Sequence, residues 1–510
     1  MGSSVVGKFV GVIALIVLAF IVGIVTADNT KSAAMVICIV AGLIGVIAMG
    51  KNVWMSLFIL VPIGQAIPIF YVSLYFLLVV PILIYWCILV VLGHARFTWR
   101  KLPGADIIVL IFMCYMATVI YRHPALDYVT SGLLGLKPDT LSRHFEYVLC
   151  FFVLIYYVTF SCIPFERKKL IRVIKWGVLI KLALLLCMAI VKMDAESAGA
   201  DMLSTANSGM RVRFSSFHTF ALNLFIFAYA STPFLKLLFS PIKLSCILSS
   251  VALTLVSGYR NSLAQLALLG FFISIIKKEY LMIVCAFIMC MATLVAINTR
   301  ETINLLPYTV QRTLAVFPWM DVNPSIRLDT DDSSEYRVVL WKWALDERTR
   351  MVDDYMWGDG CTVKASDKQR HLRAFARYNY AILTHEHLAH LGEWHSGFIA
   401  IMKQLGIAGL ILVISAHIYA FITAFRIARA LQGTPLLTYF LIYSYTLINS
   451  ITFYILPAET VTFLKHLAAF SFLKVFYWIA VEEGRLIPND KNKRYVPILI
   501  QQNVNESAIH

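Results

Sequence analysis

Charge is scarce in this 510-residue chain: 14% of its residues are Asp, Glu, Lys or Arg, against 60% that are apolar. A soluble protein cannot hide that much apolar surface, so a soluble globular class is excluded and a polytopic membrane protein remains. Acidic residues are the scarcer sign, 29 against 44 basic, which leaves a formal charge of +15. Such an excess first suggests nucleic acid. In a membrane protein, however, basic residues collect in cytoplasmic loops and set topology. Spaced cysteine pairs are also missing. Nine of the ten cysteines lie in or at the ends of apolar runs and only Cys361 sits in a long loop, which excludes a disulfide framework and a CxxC metal site. The first apolar stretch, Lys8 to Ala27, lacks a convincing cleavage site and is too long for a signal h-region, so it reads as a retained first span. Neither internal repeats nor low-complexity tracts occur.

What is present is a series of apolar runs of about 17–25 residues, each long enough to cross a bilayer as a helix. They fall near 8–27, 32–50, 52–66, 69–93, 104–121, 145–163, 173–191, 214–231, 241–257, 260–276, 280–298, 395–424, 436–456 and 463–480. The expected fold is therefore all-α, a polytopic membrane protein with about 12–14 transmembrane helices and one large, partly helical outer loop. Its expected organisation is helices over 1–298 (about eleven), a loop over 299–394, helices over 395–480 (about three) and a tail over 481–510. Lys51, Arg96/Arg100/Lys101, Arg167/Lys168/Lys169/Arg172, Lys236/Lys243, Lys277/Lys278 and Arg426/Arg429 all fall in alternate loops, and the tail adds "NDKNKR". One sidedness satisfies all of them: both termini cytoplasmic. The opposite face then carries 122–144, 192–213 and 299–394, the last holding 14 acidic and 12 basic residues. In it "RVVLWKWALDERTR" reads as an amphipathic helix and "MWGDGCT" as a Gly-punctuated turn.

Four cationic or basic features meet on that outer face. Arg211 and Arg213 stand at the outer end of a span, Arg260 in a tight hairpin, Arg337 on the loop helix, and His395 at the outer start of the twelfth span. Guanidinium forks bind phosphate oxygens bidentately and keep their charge beside a low-dielectric slab. A lipid-borne diphosphate is the ligand class they suit. The first turn of a helix disfavours an imidazolium, which would keep His395 available as a neutral base. Taken singly each has a plainer reading, as an interfacial anchor, an exposed helix decoration or a structural histidine. Their convergence carries the functional one. In "THEHLAH" His385 and His390 are five apart and so lack the HExxH spacing, and His387 and His390 could share a face but have no evident third ligand. "LDTDDSSE" contains a DxD that reads as a hydrated acidic turn, and the short first outer loop holds only Asp28, so no metal or other cofactor is expected. Lys181, Lys403 and His218 lie within spans, with Lys181 near enough to an end to snorkel.

Over roughly 205–425 the sequence resembles the O-antigen ligase and O-antigen polymerase family. The ligase signature is His, then Asn, Ser or Gln, nine residues, Gly, two residues, then Gly, Thr or Tyr. Here it reads His395-Ser396, nine residues, Gly406-Ile407-Ala408-Gly409. An "SRG"-like turn corresponds to "SGYRNSL" around Arg260, with Tyr259 in place of the usual small residue. An Arg, three residues, Trp, then Gly-x-Gly pattern corresponds to Arg337, Trp341, Gly358 and Gly360. The family Arg before the earlier span falls on Arg211 or Arg213, and the usual "GxFxxPN" is degraded to "FSSFHTF".

The resemblance implies metal-independent transfer of an undecaprenyl-diphosphate-linked glycan at the periplasmic face of the bacterial inner membrane. The acceptor would be lipid A core in a ligase, or a growing polysaccharide in a polymerase of O-antigen or exopolysaccharide repeat units. His395 would act as general base, with Arg211 or Arg213, Arg260 and Arg337 on the diphosphate. From another class, a transporter or flippase of lipid-linked saccharides would also want outer arginines, but it predicts charge at mid-membrane depth. The sequence concentrates its charge at one interface, which favours the enzyme.

Sidedness is directly testable. Reporters fused near Lys277 and in the carboxyl tail should report cytoplasm, and one near Asp353 should report periplasm. If the sites at 277 and 353 report one compartment, the outer cationic cluster does not exist.

Overall fold

The computed structural model describes residues 52, 54–58, 68–69, 72–123, 138–198, 215–257, 260–306, 308–346, 352–361, 396–455 and 460–486. A two-residue antiparallel pair, β1 (Pro68–Ile69) with β2 (Val72–Ser73), leads into a helical body. In chain order the helices are α1 (Leu74–Val91), α2 (Pro103–Arg122), α3 (Pro138–Cys162), α4 (Arg167–Ala198), α5 (Ser215–Tyr229), α6 (Phe234–Leu238), α7 (Pro241–Val256) and α8 (Arg260–Lys277). There follow α9 (Tyr280–Ala296), α10 (Arg300–Asn304), α11 (Tyr308–Leu314), α12 (Pro324–Leu345), α13 (Gly397–Ala430), α14 (Pro435–Ile448), α15 (Ile451–Ile455) and α16 (Thr460–Glu482). The spans expected at 8–27 and 32–50 lie outside the described residues.

Among the described residues four helical stretches are long and apolar enough to cross a bilayer: Pro103–Arg122, Gly397–Ala430, Pro435–Tyr454 and Thr462–Glu482. Six shorter apolar helices accompany them. Their surfaces are those of a membrane protein. On α2, Ala105, Val109, Phe112, Met116 and Val119 form the inward stripe at helical spacing, while Ile107, Leu110 and Ile111 face outward. The helix begins on Pro103, and the Asp106 carboxylate accepts the Leu102 N–H at 3.2 Å. By contrast α14 and α16 are covered on most sides and form the middle of the body, where Phe160 of α3, Tyr443 of α14, Phe472 of α16 and Phe58 meet edge-to-face or tilted.

Helix ends sort into two sets. At one, the Thr98 N–H bonds the Cys162 carbonyl at 3.0 Å, Arg100 donates to the Ile163 carbonyl at 2.5 Å, and Arg167 donates to the Glu482 carbonyl at 3.2 Å. Arg100 lies over the Phe165 ring at 3.4 Å, and burial draws its pKa down to about 10. The cation survives at neutral pH. At the other set of ends, Arg122 meets Trp357, and Gln404 meets Thr460. The first set brings together the basic segments at 96–101 and 167–172.

Two readings change. The acidic "LDTDDSSE" stretch is helical, within α12, rather than a turn. Asn323 accepts the Ser325 N–H at 3.1 Å and Pro324 occupies the first helical position, so the helix starts upstream of the amphipathic segment, with Ile326 and Thr330 buried on one face. Charge is also not confined to one interface. Lys181 does not snorkel: it is 2% exposed and donates to the Ile442 carbonyl at 3.0 Å. Lys474, 0% exposed on α16, meets Asp106 at 2.6 Å and Ser161 at 2.7 Å, below the rings of Trp99 and Tyr157.

A buried ion pair gives a sharp expectation. Lys474→Met strands the Asp106 carboxylate and should cost about 3–5 kcal/mol, whereas adding Asp106→Asn should recover most of it. Thermal unfolding in detergent reads both. A double variant as unstable as the single would mean that the pair does not matter.

Candidate functional site

Helix α13 is broken at Gly406, whose φ of 67° and ψ of −176° lie in a region open to glycine alone. An unbroken helix would bond the Ile407 N–H to the Lys403 carbonyl and the Ala408 N–H to the Gln404 carbonyl. The loop at 355–360 takes all four groups instead. Ile407 donates to Tyr355 O at 2.8 Å and Ala408 to Met356 O at 3.2 Å, while Asp359 donates to Lys403 O at 2.8 Å and Gly360 to Gln404 O at 3.0 Å. Gly358 lies against Gly406, and a Cβ on either would overlap the other's backbone. The Gly-x-Gly turn and the first glycine of the signature are therefore two halves of one joint.

Side chains hold the loop in that shape. Asp354 Oδ1 accepts the Met356 and Trp357 N–H groups at 3.0 and 2.9 Å. The Asp359 carboxylate accepts the N–H groups of Asp353 and Asp354 and meets Lys403 Nζ at 3.2 Å. The Arg122 end of α2 closes over it: Arg122 donates to Trp357 O at 2.8 Å, the His123 ring reaches Gly358 O at 3.2 Å, and the Tyr115 hydroxyl bonds the Leu405 carbonyl. Gly409 leaves room for the Tyr115 ring, which would come within 3.1 Å of a Cβ there.

Helix α12 packs on the same place. Trp341, Ala344, Val352 and Tyr355 cluster with Ile399, Ala400 and Met402 of α13. Arg337, half-buried, precedes Trp341 by one turn and so shares its face. Ser396 caps the start of α13 and gives its hydroxyl to the Tyr454 carbonyl at 2.9 Å. The helix thus begins two residues later than the sequence suggested, with Ser396 at its N-cap position. Gly397 is needed because the Phe453 carbonyl presses on it. The same short helix, α15, receives Gln265 of α8 on Thr452 Oγ1 at 3.2 Å, so the helix that starts at Arg260 and the signature helix share one support.

Six expected residues are thus gathered on or against the first turns of α13: Trp341, Gly358, Gly360, Ser396, Gly406 and Gly409; Arg337 lies one turn before Trp341 on α12. Arg260 opens α8, though its side chain is not among the described ones. Arg211, Arg213, His395 and the "THEHLAH" histidines lie outside the described residues. Arg122, Asp359 and Gln404 were not foreseen; a lone residue that meets its partner 235 positions away, as Arg122 does, or 44 and 56 away, as Asp359 and Gln404 do, leaves no local pattern. Between α8 and α13 a lateral apolar groove of about 480 Å³ runs past Leu268, Phe272, Ile414 and Phe421, with His417 and Tyr454 on its floor.

The joint predicts a contrast between two glycines of positive φ. Gly406→Ala should lose most folded protein, from strain of about 1–3 kcal/mol compounded by backbone overlap. Gly433, with φ of 78° and open space around it, should tolerate alanine at about 1–2 kcal/mol. Equal losses of the thermal midpoint would deny the joint its role.

Neither models of known protein families nor the curated proteins contain a match to this chain.

Proposed function

We propose that the protein is a glycosyltransferase of the O-antigen ligase type. It moves a glycan from undecaprenyl diphosphate to an acceptor hydroxyl, lipid A core, at the periplasmic face of the bacterial inner membrane. The observation that supports this best is the joint at Gly406: pieces of sequence that resemble one family, at 337–341, 358–360 and 396–409, meet around the first turns of one helix. In this reading His395, beside the cap, takes the proton from the acceptor hydroxyl and makes it nucleophilic at the anomeric carbon. Arg260 and Arg211 or Arg213, with Arg337, bear the charge that grows on the leaving diphosphate. That leaving group is already good, so the step needs no metal, and single displacement inverts the anomeric centre. The lateral groove suits the donor's isoprenoid chain.

A polymerase of O-antigen or exopolysaccharide repeat units shares every one of these residues and differs in the acceptor. A transporter of lipid-linked saccharides gains from the buried Lys181, Lys474–Asp106 and His417–His466 groups and from the broken α13. Purified protein incubated with a defined lipid-diphosphate glycan and candidate acceptors separates the three. A new glycosidic bond to lipid A core, a bond to another lipid-linked glycan, or translocation in vesicles without bond formation each answers to one reading.

For the enzyme, His395→Ala should keep donor binding and lose transfer by about 10²–10⁴. Arg260→Lys should not restore activity, because a point charge cannot reproduce a planar fork on a diphosphate. Chelator should leave the rate unchanged. Parallel loss of binding and transfer in His395→Ala would make that residue a diphosphate ligand instead.

A further inference from the structure

Beneath the signature runs a chain of polar groups that neither the joint nor the proposed chemistry uses. Tyr454 Oη lies 2.7 Å from His417 Nδ1, and His417 Nε2 lies 2.9 Å from His466 Nδ1. Both imidazoles are buried, at 3% and 9% exposure, in a region otherwise lined with aromatic rings. Phe453 packs edge-on against His417 at 5.2 Å and tilted against His466 at 5.7 Å, and Phe463 closes on His417 at 5.2 Å. The chain therefore ties three helices together through directional bonds: α13 by His417, α15 by Tyr454 and α16 by His466.

What it holds is α15, and α15 is what the signature stands on. The Tyr454 carbonyl takes the Ser396 hydroxyl, and the Phe453 carbonyl lies against Gly397. Only the turn at Asn449–Ser450 sets α15 off from α14 within the Pro435–Tyr454 stretch, and packing alone leaves the rotation of so short a last segment poorly fixed. Hydrogen bonds of defined direction fix its rotation, and an unmade one inside an apolar body costs the desolvation of its partner. A third feature adds to this. Tyr454 and His417 also line the lateral groove, so the same two residues touch both the groove and the support of the signature.

We propose that Tyr454, His417 and His466 are positioning residues, which lock α15 and through Ser396 and Gly397 fix the start of α13, next in sequence to His395. This rests on the reading of His395 as the base of a glycosyl transfer. A positioned base acts within narrow limits, so releasing its support lowers turnover without removing a substrate contact.

Tyr454→Phe is the informative variant, because it deletes the hydroxyl and keeps the ring. It should lower kcat about ten- to a hundredfold, leave the donor KM within about twofold, and lower the thermal midpoint by only a few degrees, the cost of leaving His417 Nδ1 unbonded. Ser396→Ala should give a similar loss, and the double variant should be little worse than either single one, since both cut the same linkage. Hydrogen exchange at Gly397–Met402 should quicken in Tyr454→Phe while that of α16 stays unchanged. Wild-type kcat in Tyr454→Phe, or losses that multiply in the double variant, would overturn the proposal. If the parent binds a lipid-diphosphate glycan yet never transfers it, the glycosyltransferase reading falls. Exchange then decides the positioning claim alone: faster exchange at Gly397–Met402 upholds it, and unchanged exchange refutes it.

Discussion

A helix interrupted inside an apolar body releases backbone donors and acceptors that must be met by something other than water. At Gly406 two lost helical bonds release four groups, and the loop from Tyr355 to Gly360 meets all four with bonds of 2.8–3.2 Å. Much of the outer face follows from that requirement. The loop must present its backbone edge-on, which fixes the Asx turn at Asp354 and the carboxylate of Asp359 under it. Two glycines must face one another, because no side chain fits between. The end of α2 must then cover the loop, which brings Arg122, His123 and Tyr115 to it.

Below that face the molecule is organised by a different rule. The peripheral helix α2 turns large apolar side chains outward and a narrow stripe inward, as suits a lipid surroundings, whereas α14 and α16 bury nearly everything they carry. Several ionisable groups in that middle are bonded across helices: Lys474 to Asp106 and Ser161, Lys181 to a carbonyl, His417 to Tyr454 and His466. Each joins helices distant in sequence. Apolar contacts alone would let those helices slide, since lipid and leucine are much alike. The directional bonds specify which helices neighbour which.

The parts legible in the sequence were those with local patterns. Apolar runs marked the helices from Leu74 onward closely, as at Pro241–Val256 and Tyr280–Ala296, because run length is a property of the strand of text itself. The glycines at 358, 360, 406 and 409 could be singled out through their resemblance to a family, but nothing in their spacing said that 358 and 406 touch. Asp329–Asp331 was misread because local acidity outweighed a start signal, Asn323-Pro324, lying a few residues upstream. His417, His466 and Lys474 escaped notice because one polar residue in an apolar run barely alters its periodicity. Their partners lie on other helices, which no local window contains.

Tyr115 and the carbonyl it bonds at Leu405 are separated by 290 positions, and Arg122 and Trp357 by 235. Chain closure over such distances is costly in entropy and comes late in folding. The helix bearing Tyr115 is synthesised long before the segment it will clasp exists. Until that segment arrives, the Arg122 end of α2 waits with its tyrosine and arginine unengaged, and the loop at 355–360 waits for the backbone groups of α13 that it will meet. Completion of the outer face is thus among the final events in the biogenesis of the molecule. A chain truncated anywhere before Gly409 would insert helices without ever assembling the place where the signature stands.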